Sequence, residues 1–282
     1  MTAVLLTVLK ALVAVLVAAV GLGSTTADLT SLWRRPGLLL KSLLAMYLVV
    51  PLFALALVAL LHLSQWAEVA LLVLAMSAGA PLVPRKLRWL SNDAYVFSLV
   101  VTSSLLAIVT VPAWATVLAS VYGFASDLGP GQLAPVVARS FLVPLALGML
   151  LRLPLRRVAD QLSELLLTFG GAVLALCGLV LLVTNAGLLE EAGRGFLASL
   201  AIMTCGSLAI GHMTGGPDPE SRTALAVCCA TRHVGIAVLV AASVPGPRTT
   251  VLVAAYIVTS IAVSIPYLAW RRRKAARMDP PP

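Results

Sequence analysis

Charge is what this sequence has least of. Asp, Glu, Lys and Arg make up 11% of its 282 residues, and only 11 residues are acidic, against about 25% charged in an ordinary soluble domain. So few charges cannot cover a water-facing surface. That excludes a soluble enzyme, a disordered chain and a nucleic-acid binder, in spite of the net charge of +9. Histidine is scarce as well, at 3 residues, and cysteine at 4. Cys177, Cys205, Cys228 and Cys229 all sit inside apolar runs. They lack the paired spacing of a zinc site or a disulfide framework, and each reads as a small hydrophobe. No metal site is expected. The N-terminus lacks the early basic cluster and small-residue cleavage site of a signal peptide; its first cation, Lys10, falls within the apolar run.

What the chain has in excess is apolar length. Hydrophobic residues reach 60% and the mean hydropathy is +1.02. A bilayer core takes about 20 apolar residues per helix. On that ruler nine segments are expected, near 3–23, 38–62, 66–91, 95–121, 132–152, 161–184, 195–213, 222–244 and 248–270. Gly- and Pro-bearing joints separate most of them, such as WRRPG at 33–37 and TGGPDPES at 214–221. No joint is long enough for a soluble domain. Residues 1–282 are expected to form one membrane domain, with repeats over about 3–121 and 132–270 and a tail at 271–282.

Basic residues alternate across the joints. One set carries Arg34, Arg35 and Lys41, then Arg85, Lys86 and Arg88, then Arg152, Arg156 and Arg157, then Arg222, and finally RRRK at 271–274. The other set carries only Arg139, Arg194 and Arg248. The bias places the C-terminus in the cytoplasm and, with nine spans, the N-terminus outside. Trp33, Trp66, Trp89 and Trp270 lie near span ends and read as interfacial anchors, and His62 and His212 read likewise as interfacial. Arg outnumbers Lys 16 to 4, which suggests a GC-rich bacterial genome and hence the inner, plasma membrane.

Two spans are unusual. The third carries Gly79, Pro81 and Pro84 near its middle, where each proline removes a backbone donor and breaks the helix. The eighth carries Arg232 and His233 about halfway along, followed by Gly235, which permits local unwinding. Interrupted spans in corresponding places of two halves, crossing in opposite directions, point to a transporter's midplane site.

Three stretches then resemble a known family. They are GSTTADLTSLWRRPGLLLKSLLAMYLVVPLFALAL (23–57), SAGAPLVPRKLRWLSNDAYVFSLVVTSSLLAIVTVP (77–112) and GHMTGGPDPESRTALAVCCATRHVGIAVLVAAS (211–243). In that order they are similar to the bile acid:sodium symporter family. The resemblance implies an all-α polytopic protein with inverted repeats, a panel and a core domain, and two broken helices crossing near the substrate. It implies a secondary transporter of a small organic anion in a lipid bilayer, and no enzyme. It leaves the substrate and the oligomeric state open.

The resemblance also implies sodium ligands, and here the sequence departs from the family. The glutamate, glutamine and asparagine positions of the second broken helix hold Cys228, Arg232 and His233. The Ser-Asn positions of the first hold Pro84 and Arg85, or Lys86 if the register slips by one. Only Ser98 and Thr102, one helical turn apart, match the family's hydroxyl ligands. A guanidinium repels a cation and does not deprotonate. Sodium coupling, and with it any cofactor, is therefore not expected, and Arg232 and Arg85 stand where bound cations would sit. Anion binding by Arg232, His233, Arg85, Ser98, Thr102 and Cys228 is the expectation that follows.

Alternatives remain at each of these residues. Arg85 can belong with Lys86 and Arg88 to the cytoplasmic basic cluster, and Arg232 can cap carbonyls freed at the break. His233 can be a structural hydrogen-bonding residue, and the hydroxyls of Ser98 and Thr102 can bond back to their own helix. At the level of function, the alternatives are a sodium-coupled symporter with altered ligands and a membrane sensor on the same fold.

Overall fold

The computed structural model describes residues 2–25, 31–77, 93–122, 130–192, 195–233, 236, 237, 240 and 248–278. Among these there are helices and turns and no strand. In chain order the helices are α1 (Thr2–Gly23), α2 (Pro36–Leu61), α3 (Gln65–Met76), α4 (Asp93–Tyr122) and α5 (Pro130–Arg152). They continue with α6 (Ala159–Thr184), a short α7 (Ala186–Ala192), α8 (Gly195–Thr214), α9 (Pro219–Ala230) and α10 (Arg248–Met278). Six of them are long and apolar enough to cross a membrane, and α3 and residues Thr7–Gly23 of α1 form shorter apolar helices. The chain is an all-α, multi-pass membrane protein.

The long helices tolerate prolines because a bilayer forces every other backbone group into the helix. Pro51 cannot donate to the carbonyl of Tyr47, and α2 answers with a π segment, Ala45–Val49, just before it. Pro112, Pro135, Pro144 and Pro266 lie inside α4, α5 and α10. Beyond Pro112, Thr116 Oγ1 donates to the proline's own carbonyl at 2.9 Å.

Helices α1, α5 and α6 pack as one layer through small residues. A side chain at Gly21 would meet the Leu145 carbonyl, and one at Gly148 would meet the Ala18 carbonyl. The backbones therefore approach closely, as membrane helices do when small residues face each other. At one end Arg152 Nη1 donates to the Leu22 carbonyl at 2.7 Å, and Ser163 Oγ donates to the Ala19 carbonyl at 2.6 Å. The last turn of α5 and the first turns of α6 thus meet the last turns of α1. Helices α1 and α5 run parallel, and α6 runs against both. Counting back from the Leu22–Arg152 contact brings Lys10 level with Arg139, about 18 Å from that end.

That geometry corrects one part of the charge count. Arg139 does not lie in a joint, because α5 already begins at Pro130. Likewise α10 continues through RRRK to Met278, so the segment expected as a tail begins as helix. Arg271 is buried there, donating from Nε to Thr223 Oγ1 at 2.7 Å and from Nη2 to the Pro219 carbonyl at 2.8 Å.

Candidate functional site

The two unusual spans meet end to end. Helix α9 starts with a strong cap: Asp218 accepts from the Ser221 amide at 2.9 Å, Pro219 occupies the first turn and Glu220 follows. It runs twelve residues and stops at Ala230, with Thr231 extended at φ −101° and ψ 109°. Helix α3 stops at Met76, with Ser77 at φ −89° and ψ 73°. The amide of His233 donates to the Ser77 carbonyl at 2.9 Å. Both interrupted helices therefore present their carbonyl ends to one place, and each such end carries a partial negative charge. Pro81, Pro84, Arg85, Lys86 and Gly235 lie outside the described residues.

Tyr256 of α10 splices the break in α9. Its hydroxyl donates to the Ala230 carbonyl and accepts from the Arg232 amide. The other amides here are taken too: Thr231 N–H bonds Val227, Ile236 N–H bonds His233 Nδ1 at 3.3 Å, and Ala237 N–H bonds the His233 carbonyl. A broken helix is expected to leave amides free for an anion. The described amides at this break are instead all donated to protein atoms.

The positive group is the side chain of Arg232. It is 1% exposed, and its Nη1 makes one long contact, 3.5 Å, to the Met46 carbonyl in the π segment of α2. Its Nε and Nη2 have no hydrogen-bond partner among the described residues, where no acidic side chain is buried. An arginine at a helix centre costs about 2.5–3.5 kcal/mol on insertion scales, more without a partner. A buried charge this poorly matched among the described residues is costly to the fold.

His233 is 2% exposed and faces the other way, against Phe141 of α5 in an edge-on contact with ring centroids 6.0 Å apart. Because Nδ1 accepts from Ile236, the proton sits on Nε2, which has no partner among the described residues. Nε2–H is thus a donor without an acceptor, and His233 lines a cavity of about 490 Å³ between the break and the α1–α5 pair. Lys10 and Arg139, both exposed, line the same cavity among mostly apolar side chains, and no acidic residue lines it among those described.

Of the remaining expected residues, Cys228 shares a cluster with Met46, the partner of Arg232, whereas Ser98 and Thr102 bond elsewhere. Cys228 is buried in an apolar cluster with Met46, Tyr47 and Leu99. Ser98 Oγ accepts from the Leu32 amide at 3.1 Å, and Thr102 Oγ1 accepts from Trp33 Nε1 at 3.2 Å. These two hydroxyls hold the single helical turn Ser31–Arg34 against α4. Sequence reasoning missed Met46 and Tyr256, the partners of Arg232, and Lys10 and Arg139 as neighbours of His233. Pro51 was the available signal for the first, since a π segment before a proline turns carbonyls out of register.

No curated protein matches the chain. A family model for the sodium bile acid symporter family matches residues 10–192, from within α1 to the end of α7, ahead of the break that holds Arg232. With a multi-pass helical fold and two interrupted helices meeting end to end, the match completes the assignment: the chain belongs to the sodium bile acid symporter family, a family of membrane transporters.

Proposed function

We propose that this transporter moves a small organic anion without sodium coupling, and that Arg232 supplies a fixed positive charge in place of a bound cation. One observation carries the reading. Arg232 leaves the backbone at the joined ends of α3 and α9, and its buried guanidinium reaches the π segment of α2, with two N–H-bearing nitrogens unpartnered among the described residues. Helix carbonyl ends favour a cation, and a guanidinium supplies one at every accessible pH. A sodium ion beside it would be repelled; an anion would be drawn in. His233, the residue next in the chain, lines a cavity on the other side of the break, and the buried charge acts on an anion there across the low-dielectric interior.

The reading makes Arg232 a substrate-binding group, with His233 as a donor at the cavity wall and Arg85 assisting from the first broken helix. Ser98, Thr102 and Cys228 support the scaffold around it. We further propose an inner-membrane location with the N-terminus outside and the C-terminus in the cytoplasm, on the basic bias of the joints. Counterflow of a labelled organic anion in liposomes, with sodium replaced by choline at fixed pH and membrane potential, tests the coupling. Retained uptake supports the reading, and a steep loss of uptake overturns it.

A further inference from the structure

We propose that Lys10 and Arg139 form a two-cation clamp, and that the transported anion is doubly charged at one end with an apolar body. This rests on the anion reading above, but its two cations are residues that reading does not use. Lys10 on α1 and Arg139 on α5 both line the cavity that His233 closes. The parallel packing of α1 and α5, pinned at Leu22 and Arg152, brings the two cations to one level, about 18 Å from that end and hence near mid-membrane. Cations at this depth are kept only where water, a counter-charge or a ligand meets them.

The described residues supply the cavity with no such counter-charge. None of its described lining residues is acidic, so the two side chains add two positive charges to the one already buried at Arg232. A monoanion would leave one of the pair unmatched, whereas a dianion neutralises both. His233 adds a third donor through Nε2–H, which is buried and unpartnered among the described residues. Much of the remaining lining, including Val13, Phe141, Pro144, Leu147 and Ile236, is apolar, which suits a hydrocarbon or aromatic body. The chemical class is thus a compact vicinal dicarboxylate, or an acid of equal charge, carrying an apolar group.

Two acids with the same phenyl group separate one charge from two: 3-phenylpropanoate and 2-phenylsuccinate. Binding of each to the purified full chain is measured by titration calorimetry at pH 7.5. Phenylsuccinate is expected to bind about tenfold or more tightly than phenylpropanoate. Lys10→Gln and Arg139→Gln are each expected to remove most of that preference, while Lys10→Arg and Arg139→Lys retain it. Arg232→Gln is expected to weaken both acids by a similar factor and leave the preference intact. Equal affinities in the unmodified protein overturn the clamp, as does a preference that survives in the folded double Gln variant. If either Gln variant fails to fold, the comparison of the two acids on the unmodified protein decides alone. A sodium requirement in uptake, with the dianion preference intact, overturns the coupling proposal and leaves the clamp standing.

Discussion

The amide of His233 donates to the carbonyl of Ser77 at 2.9 Å, joining the ends of two helices that come from opposite halves of the chain. Neither helix could stop in a bilayer without such a partner, because unsatisfied backbone groups are costly there. The join places Arg232 one residue from the seam. A charge that tertiary structure holds in apolar surroundings is the feature from which the proposed transport chemistry follows.

Tyr256 is the second tie at this seam. Tyr256→Phe removes both the donor to the Ala230 carbonyl and the acceptor for the Arg232 amide, leaving two backbone groups unsatisfied. Loss of about 1–3 kcal/mol of stability is expected, read as a lowered midpoint in thermal unfolding of the detergent-solubilised protein. An unchanged midpoint would mean that the break holds without the hydroxyl.

The α1–α5 packing allows no added volume. Gly21→Ala and Gly148→Ala would each push a methyl group into a facing carbonyl. Each is expected to cost about 1–3 kcal/mol, and Gly148→Leu considerably more. Gly37 and Gly187 have nothing near their missing side chains, so Gly37→Ala and Gly187→Ala serve as controls in the same unfolding assay.

Asp218 gives a pH-dependent contribution. The Ser221 hydroxyl bond, then the backbone amides of Ser221 and Glu220 and the charge of Arg35, hold its carboxyl below the usual aspartate range. The stabilisation is therefore complete above the unfolded-state pKa of about 3.9 and is lost as pH falls through the lower folded value. Asp218→Ala is expected to cost about 0.5–2 kcal/mol near neutrality through loss of the helix cap. The difference from the unmodified protein should shrink under acid, and stability curves at several pH values check this.

Much of the architecture is legible in composition and spacing, because a bilayer demands long apolar runs and punishes exceptions. The break at Arg232 stands out for that reason: a guanidinium and an imidazole midway along a span contradict the run around them. The partners of Arg232 do not stand out. Met46 is 186 positions away and Tyr256 lies 24 positions on, in α10, and neither contact has a periodic signature. The charge count puts Arg139 with the joints although the span expected at 132–152 contains it, and α5 places it inside the helix. Its closeness in depth to Lys10 follows only from the parallel packing of α1 and α5. Ser98 and Thr102 show the reverse case: their spacing is visible, but their bonds to Leu32 and Trp33 depend on a turn that spacing does not reveal.

Uptake of an organic anion into liposomes, with and without sodium, in the unmodified protein and in Arg232→Gln tests the central claim most directly. The unmodified protein is expected to transport equally well in sodium and in choline. Arg232→Gln, confirmed folded by its unfolding midpoint, is expected to lose about ten- to a hundredfold in apparent affinity, the worth of one charge-assisted contact. Uptake that collapses in choline, or an affinity unchanged in folded Arg232→Gln, would contradict the claim that Arg232 replaces the bound cation.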